Sequence, residues 1–539
     1  MALARSIKIG GLLAVAIDGT AAALVSRAAS LPAAVRVLSV PDENTPITLE
    51  IGLKMQNIEK LEDMLRDVSD PKSSNYGQYL STTEIHETFR PSDESGAAVK
   101  AWLQENGVTE IVDRGFYINF ATTVSKANDL LNSAFSYYDV QGTRKLRTRE
   151  YTISGEIADH IELVTPTTYF GTTKAHRAVD ATAPDHNEVL VNRQADGDGN
   201  ATKPSPCSRL LTPPCLQDMY GFGDYQVDPD SGSRIAFASF LNQSAVPNDL
   251  DVFTDTFDLP RTSWESVIIN GGDDHQDFKR DVGEGNLDAQ MLALSGKTLP
   301  MFHYVTGGSP PIIPNLRLDE DSNTNEPYLE FYQYLMDLEN EEVAQVISIS
   351  YGDDEQTVPK DYAVRTCNLM GMMGLRGITI IESTGDAGVG APCRANDGSD
   401  KIEFTPSSRR AAHTSQRLVG RKGTIQRSQR FLDEVMDQEL KAEYEQYTNY
   451  GGRGFPDISA HSSSPSEGFK ALTDVVGGNS KGCDGWDTQS GAQVPGAGII
   501  GERGAYWNAT EGDACRDRED HRLAYFCAET ARHPGYLVP

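Results

Sequence analysis

A chain of 539 residues with 38% hydrophobic content is long enough for two to four domains and a large buried core. Its formal net charge of −30 argues against a nucleic-acid or anionic-membrane partner held by charge. The same charge suits a protein that works in acid, where most carboxylates are neutral. At the N-terminus Arg5 and Lys8 precede the apolar run Ile9 to Ile17 and then Ala21-Ala22-Ala23. This is the plan of a secretory signal peptide over residues 1–23, with Asp18 as its one irregularity. The run is too short to span a bilayer, so a secreted, extracellular protein is expected. Sequons at Asn200, Asn242 and Asn508 agree with export and mark candidate glycosylation sites. The cysteines are Cys207, Cys215, Cys367, Cys393, Cys483, Cys515 and Cys527, an odd number that leaves one without an intrachain partner. Cys207 and Cys215 bracket Leu211-Thr212-Pro213-Pro214 and are spaced to close a small loop.

Residues 35–175 read as one α+β unit. Ile47, Leu49, Ile51 and Leu53 alternate as a strand, and Ile58, Leu61, Leu65 and Val68 recur at helical spacing. Ser92 to Glu105 and Val124 to Phe135 are further helix candidates, and Phe116 to Phe120 is a second strand. Residues 176–206 are polar and aperiodic, as a linker is. A different architecture then runs over 207–495. Strands are predicted at Ile235–Leu241, Met301–Val305, Val346–Ser350 and Ile378–Glu382. Helices are predicted at about 283–295, Tyr328–Leu338 and Tyr362–Met373. This alternation predicts an α/β fold, a parallel sheet with helices on both faces.

Within it, Gly283-Glu284-Gly285-Asn286-Leu287-Asp288 sets two carboxylates four residues apart. On a helix they share a stripe with Leu287 and Met291, so both face inward. Like charges at that spacing destabilise a helix by roughly 0.2–0.5 kcal/mol even when exposed. Burial raises the cost until one carboxyl keeps its proton, which is general acid/base equipment. A second candidate is Asp386 in Gly385-Asp386-Ala387-Gly388, a tight turn directly after a strand end, where ligands of parallel sheets gather. Taken singly, the first stretch also reads as a solvated acidic turn and the second as a turn aspartate bonding its own backbone.

The motifs occur in a fixed order: Glu284-x-x-x-Asp288, Ser348-Ile349-Ser350-Tyr351-Gly352, Gly385-Asp386-x-Gly388, and Gly454-Phe455-Pro456-Asp457-Ile458-Ser459-Ala460. Ahead of them stand Ser69-Asp70-Pro71-x-Ser73 and Tyr76-Gly77-Gln78-Tyr79-Leu80. The ordered set resembles the sedolisins, the serine-carboxyl peptidases, and among them the secreted fungal tripeptidyl-peptidases. The resemblance covers about 35–405, resuming at about 431–462 and 471–491. It implies a subtilisin-like fold preceded by an inhibitory pro-domain at 35–175, processing in the linker, peptide or protein substrates, and a monomer. It implies Glu284 as general base, Asp288 as its orienting and proton-sharing partner, and Asp386 as a neutral acid donating to the oxyanion. Such a donor must be protonated, and a Glu in place of a catalytic His moves the working pH into acid. Gly285 stands where the family usually has Ala, which is expected to loosen the helix by about 1 kcal/mol. The resemblance also implies a Ca²⁺ site. Asp474 and Asp487 would supply carboxylates, and Val475, Cys483 and Gly485 carbonyl oxygens, a hard donor set that suits this ion.

The pattern breaks in three places. The family's nucleophile lies in a Gly-Thr-Ser motif well before the Asp474 element, but the chain contains no Gly-Thr-Ser, and only Ser462 to Thr473 separate His461 from Asp474. Between Phe404 and Leu432 there is no acidic residue, while Arg409, Arg410, Arg417, Arg421, Lys422, Arg427 and Arg430 are present. That basic island reads either as an anion-binding loop or as a stretch translated out of frame. The tail at 496–539 matches no motif. A non-catalytic or misassembled relative lacking its serine is therefore the alternative expectation. A glycosidase is disfavoured, because its paired carboxyls flank a cleft and usually come from different elements rather than one helical turn.

Overall fold

The structure is a computed structural model that describes residues 23–27, 31, 35–140, 142–170, 174–175, 213–228, 230–241, 243–276, 283–307, 328–352 and 358–383. In the first unit, β1 (Ala23–Arg27), β2 (Val35–Ser39), β3 (Pro46–Leu53), β4 (Glu110–Asp113), β5 (Tyr117–Thr123), β6 (Ser136–Val140), β7 (Thr143–Arg147), β8 (Glu150–Ser154) and β9 (Ile161–Thr165) are joined by four helices. These are α1 (Leu61–Ser69), α2 (Thr82–Phe89), α3 (Asp93–Glu105) and α4 (Val124–Leu131). The antiparallel sheet β4-β5-β3-β9 packs its apolar face on α3 and α4. α2, which the sequence analysis does not predict, starts at a capping box: Ser81 accepts from the Glu84 amide and Glu84 reaches back to the Ser81 amide.

The second unit begins with α5 (Pro213–Tyr220). Its centre is a five-stranded parallel sheet built from β11 (Ile235–Ser239), β12 (Trp264–Ile269), β13 (Met301–Thr306), β14 (Val346–Ile349) and β16 (Thr379–Glu382). Their order is β12-β13-β11-β14-β16, with β11 in the middle. Every residue of β11 is buried, which is why Ile-Ala-Phe-Ala reads as an unbroken apolar run rather than an alternation. Alternate side chains serve opposite faces. Ile235 and Phe237 join the core under α6 (Pro247–Phe257) and α7 (Gly283–Gly296). Ala236 and Ala238 join the core under α8 (Tyr328–Asp337) and α9 (Lys360–Leu375). The expected helices on both faces are therefore present.

The two units share a core. Leu61 and Val68 of α1 and Ile85 and Phe89 of α2 lie in one apolar cluster with Leu369, Met372 and Met373 of α9. Polar contacts bind the same seam. Arg365 of α9 is wholly buried, and its guanidinium donates to the carbonyls of Leu53 (2.9 Å) and Phe116 (2.6 Å) and to Glu162 (2.5 Å). Gln333 donates to the buried Glu50 at 2.8 Å, and Asn340 donates to the Leu80 carbonyl at 2.9 Å. The short strand β10 (Lys174–Ala175) runs antiparallel to β15 (Tyr351–Gly352). Among the described residues no helix is long and apolar enough to cross a membrane.

Candidate active site

α7 is unlike an ordinary surface helix. Glu284 to Leu294 are all buried, so the apolar residues do not form one stripe with a polar back. It lies against the central strand, between the sheet and α6. Its first turn is fixed by Asn286, whose side-chain oxygen accepts from the Val246 amide at 2.8 Å and whose amide donates to Asp249 at 2.8 Å. Gly285 has a steric role. A Cβ there would stand 2.4 Å from the Ser244 carbonyl oxygen and 2.7 Å from its carbon. The expectation that glycine loosens this helix is corrected: the loop Ser244–Ala245 sits on the backbone of Gly285, and only a residue without a side chain permits that approach.

This packing brings Glu284 (1% exposed) and Asp288 (0% exposed) to the region beyond the carboxyl ends of β11 and β14. Ser350, the residue after β14, donates its hydroxyl to Asp288 Oδ1 at 2.7 Å. Asp288 Oδ2 has no hydrogen-bond partner among the described residues. Burial pushes the Asp288 carboxyl up to about 8, against the opposing effect of the Ser350 hydroxyl. Asp288 thus holds a proton throughout the acid range, one helical turn from Glu284. Burial rather than the nearby carboxylate is what favours the neutral form of Asp288. Tyr351 follows Ser350 and is wholly buried. Its phenol is pushed well up by burial and then by the negative charges of Glu284 and Asp288. Its hydroxyl bonds the Ser239 side chain and the Phe240 backbone, and lies 3.5 Å from Gln243 Oε1.

The other predicted site residues, Asp386, Asp474, Val475, Cys483, Gly485 and Asp487, lie outside the described residues, as do Asn200, Asn242 and Asn508. Cys215 is disulfide-bonded, and Cys207 lies outside the described residues.

The pro-kumamolisin activation domain family matches residues 33–170, the first unit. Tripeptidyl-peptidase sed4 of Aspergillus fumigatus is 36% identical over an alignment covering 90% of this chain and 92% of that protein. Tripeptidyl-peptidase SED2 of Arthroderma otae is 30% identical, over 91% and 92%. The chain belongs to the sedolisin-type tripeptidyl-peptidases. A solved structure of a Pseudomonas sedolisin (serine-carboxyl proteinase), complexed with two molecules of pseudo-iodotyrostatin, is 20% identical with a TM-score of 0.28 over 38% of this chain and 52% of that chain.

Around the carboxyl pair of this sedolisin-type chain stand residues that the sequence analysis does not single out. His303 of β13 is completely buried, with Nε2 2.7 Å from Ser239 Oγ and Nδ1 3.8 Å from Asp274 Oδ1. Its ring stacks on Phe237 at 4.3 Å and meets Trp264 edge-on. The available signal was a lone polar residue inside the apolar strand Met-Phe-His-Tyr-Val-Thr.

Proposed function

We propose that this protein is a secreted, acid-active serine-type peptidase that releases tripeptides from the N-termini of proteins. The observation that carries this reading is the buried Glu284–Asp288 pair, held beyond the strand ends, where burial favours the neutral form of Asp288. In acid, neutral Asp288 places no second negative charge one helical turn from Glu284, and Glu284 is the base that receives the proton of the attacking hydroxyl. Asp386, as a protonated acid, would donate to the carbonyl oxygen as negative charge develops there. The serine itself is not assigned, since no Gly-Thr-Ser occurs in the chain. The retained pair and the names of the relatives favour a working peptidase over a non-catalytic homologue.

The pairing of Lys174–Ala175 with Tyr351–Gly352 supports a zymogen. The segment leaving the first unit is added as a strand beside Ser350, where an extended peptide substrate would lie. Cleavage within 176–206 would free that edge. For calcium, the carboxylates of Asp474 and Asp487 and the carbonyls of Val475, Cys483 and Gly485 form an all-oxygen set that fits Ca²⁺ and would hold it. Its expected effect is on stability, about 2.7 kcal/mol at a hundredfold excess over Kd. A chelator that leaves the melting temperature unchanged rejects the site. Secretion through the 1–23 leader and glycosylation at Asn200, Asn242 and Asn508 belong to the same reading. Mass spectrometry of secreted material tests both.

The enzymatic test uses processed protein near pH 4 on a tripeptide-releasing substrate, with a serine-directed acylating peptide probe to find the nucleophile by mass spectrometry. Turnover and labelling are expected, and both are expected to vanish in Glu284→Ala. Activity that survives Glu284→Ala overturns the assignment, and a folded, processed protein with no turnover establishes the non-catalytic reading.

A further inference from the structure

The carboxyl pair is enclosed by a ring of contacts that the family mechanism does not use. Beginning at Asp288, the ring passes to the Ser350 hydroxyl at 2.7 Å and along the chain to Tyr351. From the Tyr351 hydroxyl it reaches Ser239. From Ser239 Oγ it reaches His303 Nε2 at 2.7 Å. His303 Nδ1 faces Asp274 at 3.8 Å, Asp274 accepts from the Ser244 hydroxyl, and the Ser244 carbonyl lies against Gly285, next to Glu284. Five segments distant in sequence thus close on themselves around two carboxyls. Phe237 stacks on one face of the imidazole and Trp264 meets it edge-on, so its surroundings there are apolar. The charged or titratable groups facing it are therefore Asp274 directly, and Tyr351, Glu284 and Asp288 beyond Ser239.

We propose that His303 is a positioning residue for the Glu284–Asp288 pair, acting through Ser239, Tyr351 and Ser350 on one side and through Asp274 and Ser244 on the other. The proposal rests on the peptidase reading above. Tyr351 donates to Gln243 Oε1 at 3.5 Å and its oxygen accepts from the Ser239 hydroxyl and the Phe240 backbone. The single proton of Ser239 is thereby used, so Ser239 accepts from Nε2–H of His303 at 2.7 Å. The neutral imidazole then has Nδ1 bare, 3.8 Å from Asp274 Oδ1. A second proton enters there and charges the far end of the run, strengthening the donation to Ser239 and through it to Tyr351. Tyr351 in turn senses the charges of Glu284 and Asp288, which couples the imidazole to the carboxyl pair. Burial holds the imidazole down to about 4, partly offset by Asp274, so this charging falls in the acid range where the enzyme would work. A histidine that merely filled space in the core would not be coupled to the carboxyls.

Two measurements on the full-length protein and its processed form test this. The first is the pH profile of His303→Asn. The expected result is a kcat reduced about tenfold or more, a KM within about twofold, and a displaced acid limb. A profile that superimposes on wild type overturns the proposal. If His303→Asn does not fold, Tyr351→Phe breaks the same chain at its other end and is read by the same criteria. The second is the histidine ¹⁵N NMR titration in wild type, Glu284→Gln and Asp288→Asn, with His303 assigned by its loss in His303→Asn. Its midpoint is expected to move by about half a pH unit or more in both variants. An unchanged midpoint overturns the proposal. The NMR readout needs no turnover, so failure of the peptidase reading and failure of the ring are distinguishable.

Discussion

Ser350 is the hydroxyl that fixes which oxygen of Asp288 can carry the proton. By donating to Oδ1 it leaves Oδ2 as the protonated one, and it favours the ionised form against the effect of burial. Ser350→Ala removes this donor from a fully buried acceptor, a loss of about 1–3 kcal/mol. The Asp288 carboxyl is then expected to titrate higher than about 8. The alkaline limb of kcat/KM is expected to move upward, with turnover lower by about tenfold. A pH–rate profile of the variant checks this, and an unmoved alkaline limb would show that Asp288 does not govern it. That Glu284 and Asp288 share one buried face was readable from their spacing, because i, i+4 places two side chains on one helical face whatever surrounds them; their roles came from the resemblance alone. The participation of His303, Ser239 and Asp274 was not readable, since nothing local links a polar residue in β13 to the end of β11 and the loop after β12.

At the scale of the element, α7 shows where a propensity scale misleads. Exchanging Gly285 for Ala would raise intrinsic helix stability by about 1 kcal/mol. Against this stands a Cβ 2.4 Å from the Ser244 carbonyl oxygen, backbone that cannot swing aside as a flexible side chain can. Overpacking of this kind costs typically 1–3 kcal/mol. Gly285→Ala is therefore expected to lower the melting temperature and to reduce turnover, since the displaced Ser244 belongs to the loop that faces Asp274. A variant more stable than wild type in a thermal melt would reject the close approach. Other elements were legible to within a few residues wherever a burial period was strong. The helix expected at about 283–295 spans Gly283–Gly296, and the strand expected at Met301–Val305 spans Met301–Thr306. Those missed carried their signal in their ends: the capping box at Ser81 and Glu84, and the proline that opens α6 at Pro247. β12 was missed because it is an edge strand with exposed Glu265, Ser266 and Ile268, so it lacks the continuous apolar run of its neighbours.

In the whole molecule, one arginine ties the first unit to the second. Arg365→Ala would leave two buried carbonyls and Glu162 without their donor, and truncating one partner of a buried charged pair costs about 3–5 kcal/mol. Once the linker is cut, the first unit of this variant is expected to separate from the second on gel filtration at neutral pH, while the wild-type units stay together. Co-elution of the variant's units would show that the apolar seam alone suffices. Acid release by this seam cannot come from Glu50. Burial pushes its carboxyl up to about 7 despite the Gln333 hydrogen bond and the charge of Arg365. It is therefore neutral and comfortably buried in acid, and its contribution is lost as pH rises through about 7.

The same sign analysis extends to global stability. Asp288 and Glu50 are neutral in the fold, up to about 8 and about 7, where their unfolded counterparts are already ionised. Each therefore contributes stability in acid that is lost as pH rises from the ordinary carboxylate range through those values. His303 opposes them. It stays neutral in the fold down to about 4 while the unfolded imidazole protonates near 6.5, so its contribution falls as pH drops through that window. Two carboxyls outweigh one imidazole, and the −30 charge repels itself less in acid. The intact chain is expected to melt at a higher temperature at pH 5 than at pH 8; the reverse order would show that other groups dominate.

The sequence by itself determined the two units, the parallel α/β core and the carboxyl pair, because periodic burial and residue spacing are local properties carried by the chain wherever it goes. The tertiary structure alone decided that Gly285 is a contact rather than a weakness. It alone decided that Arg365 is a clasp between units, and that His303 stands behind the Glu284–Asp288 pair. Each of these depends on which distant backbone or side chain arrives within a few ångströms, and close packing settles that only when all the elements are assembled.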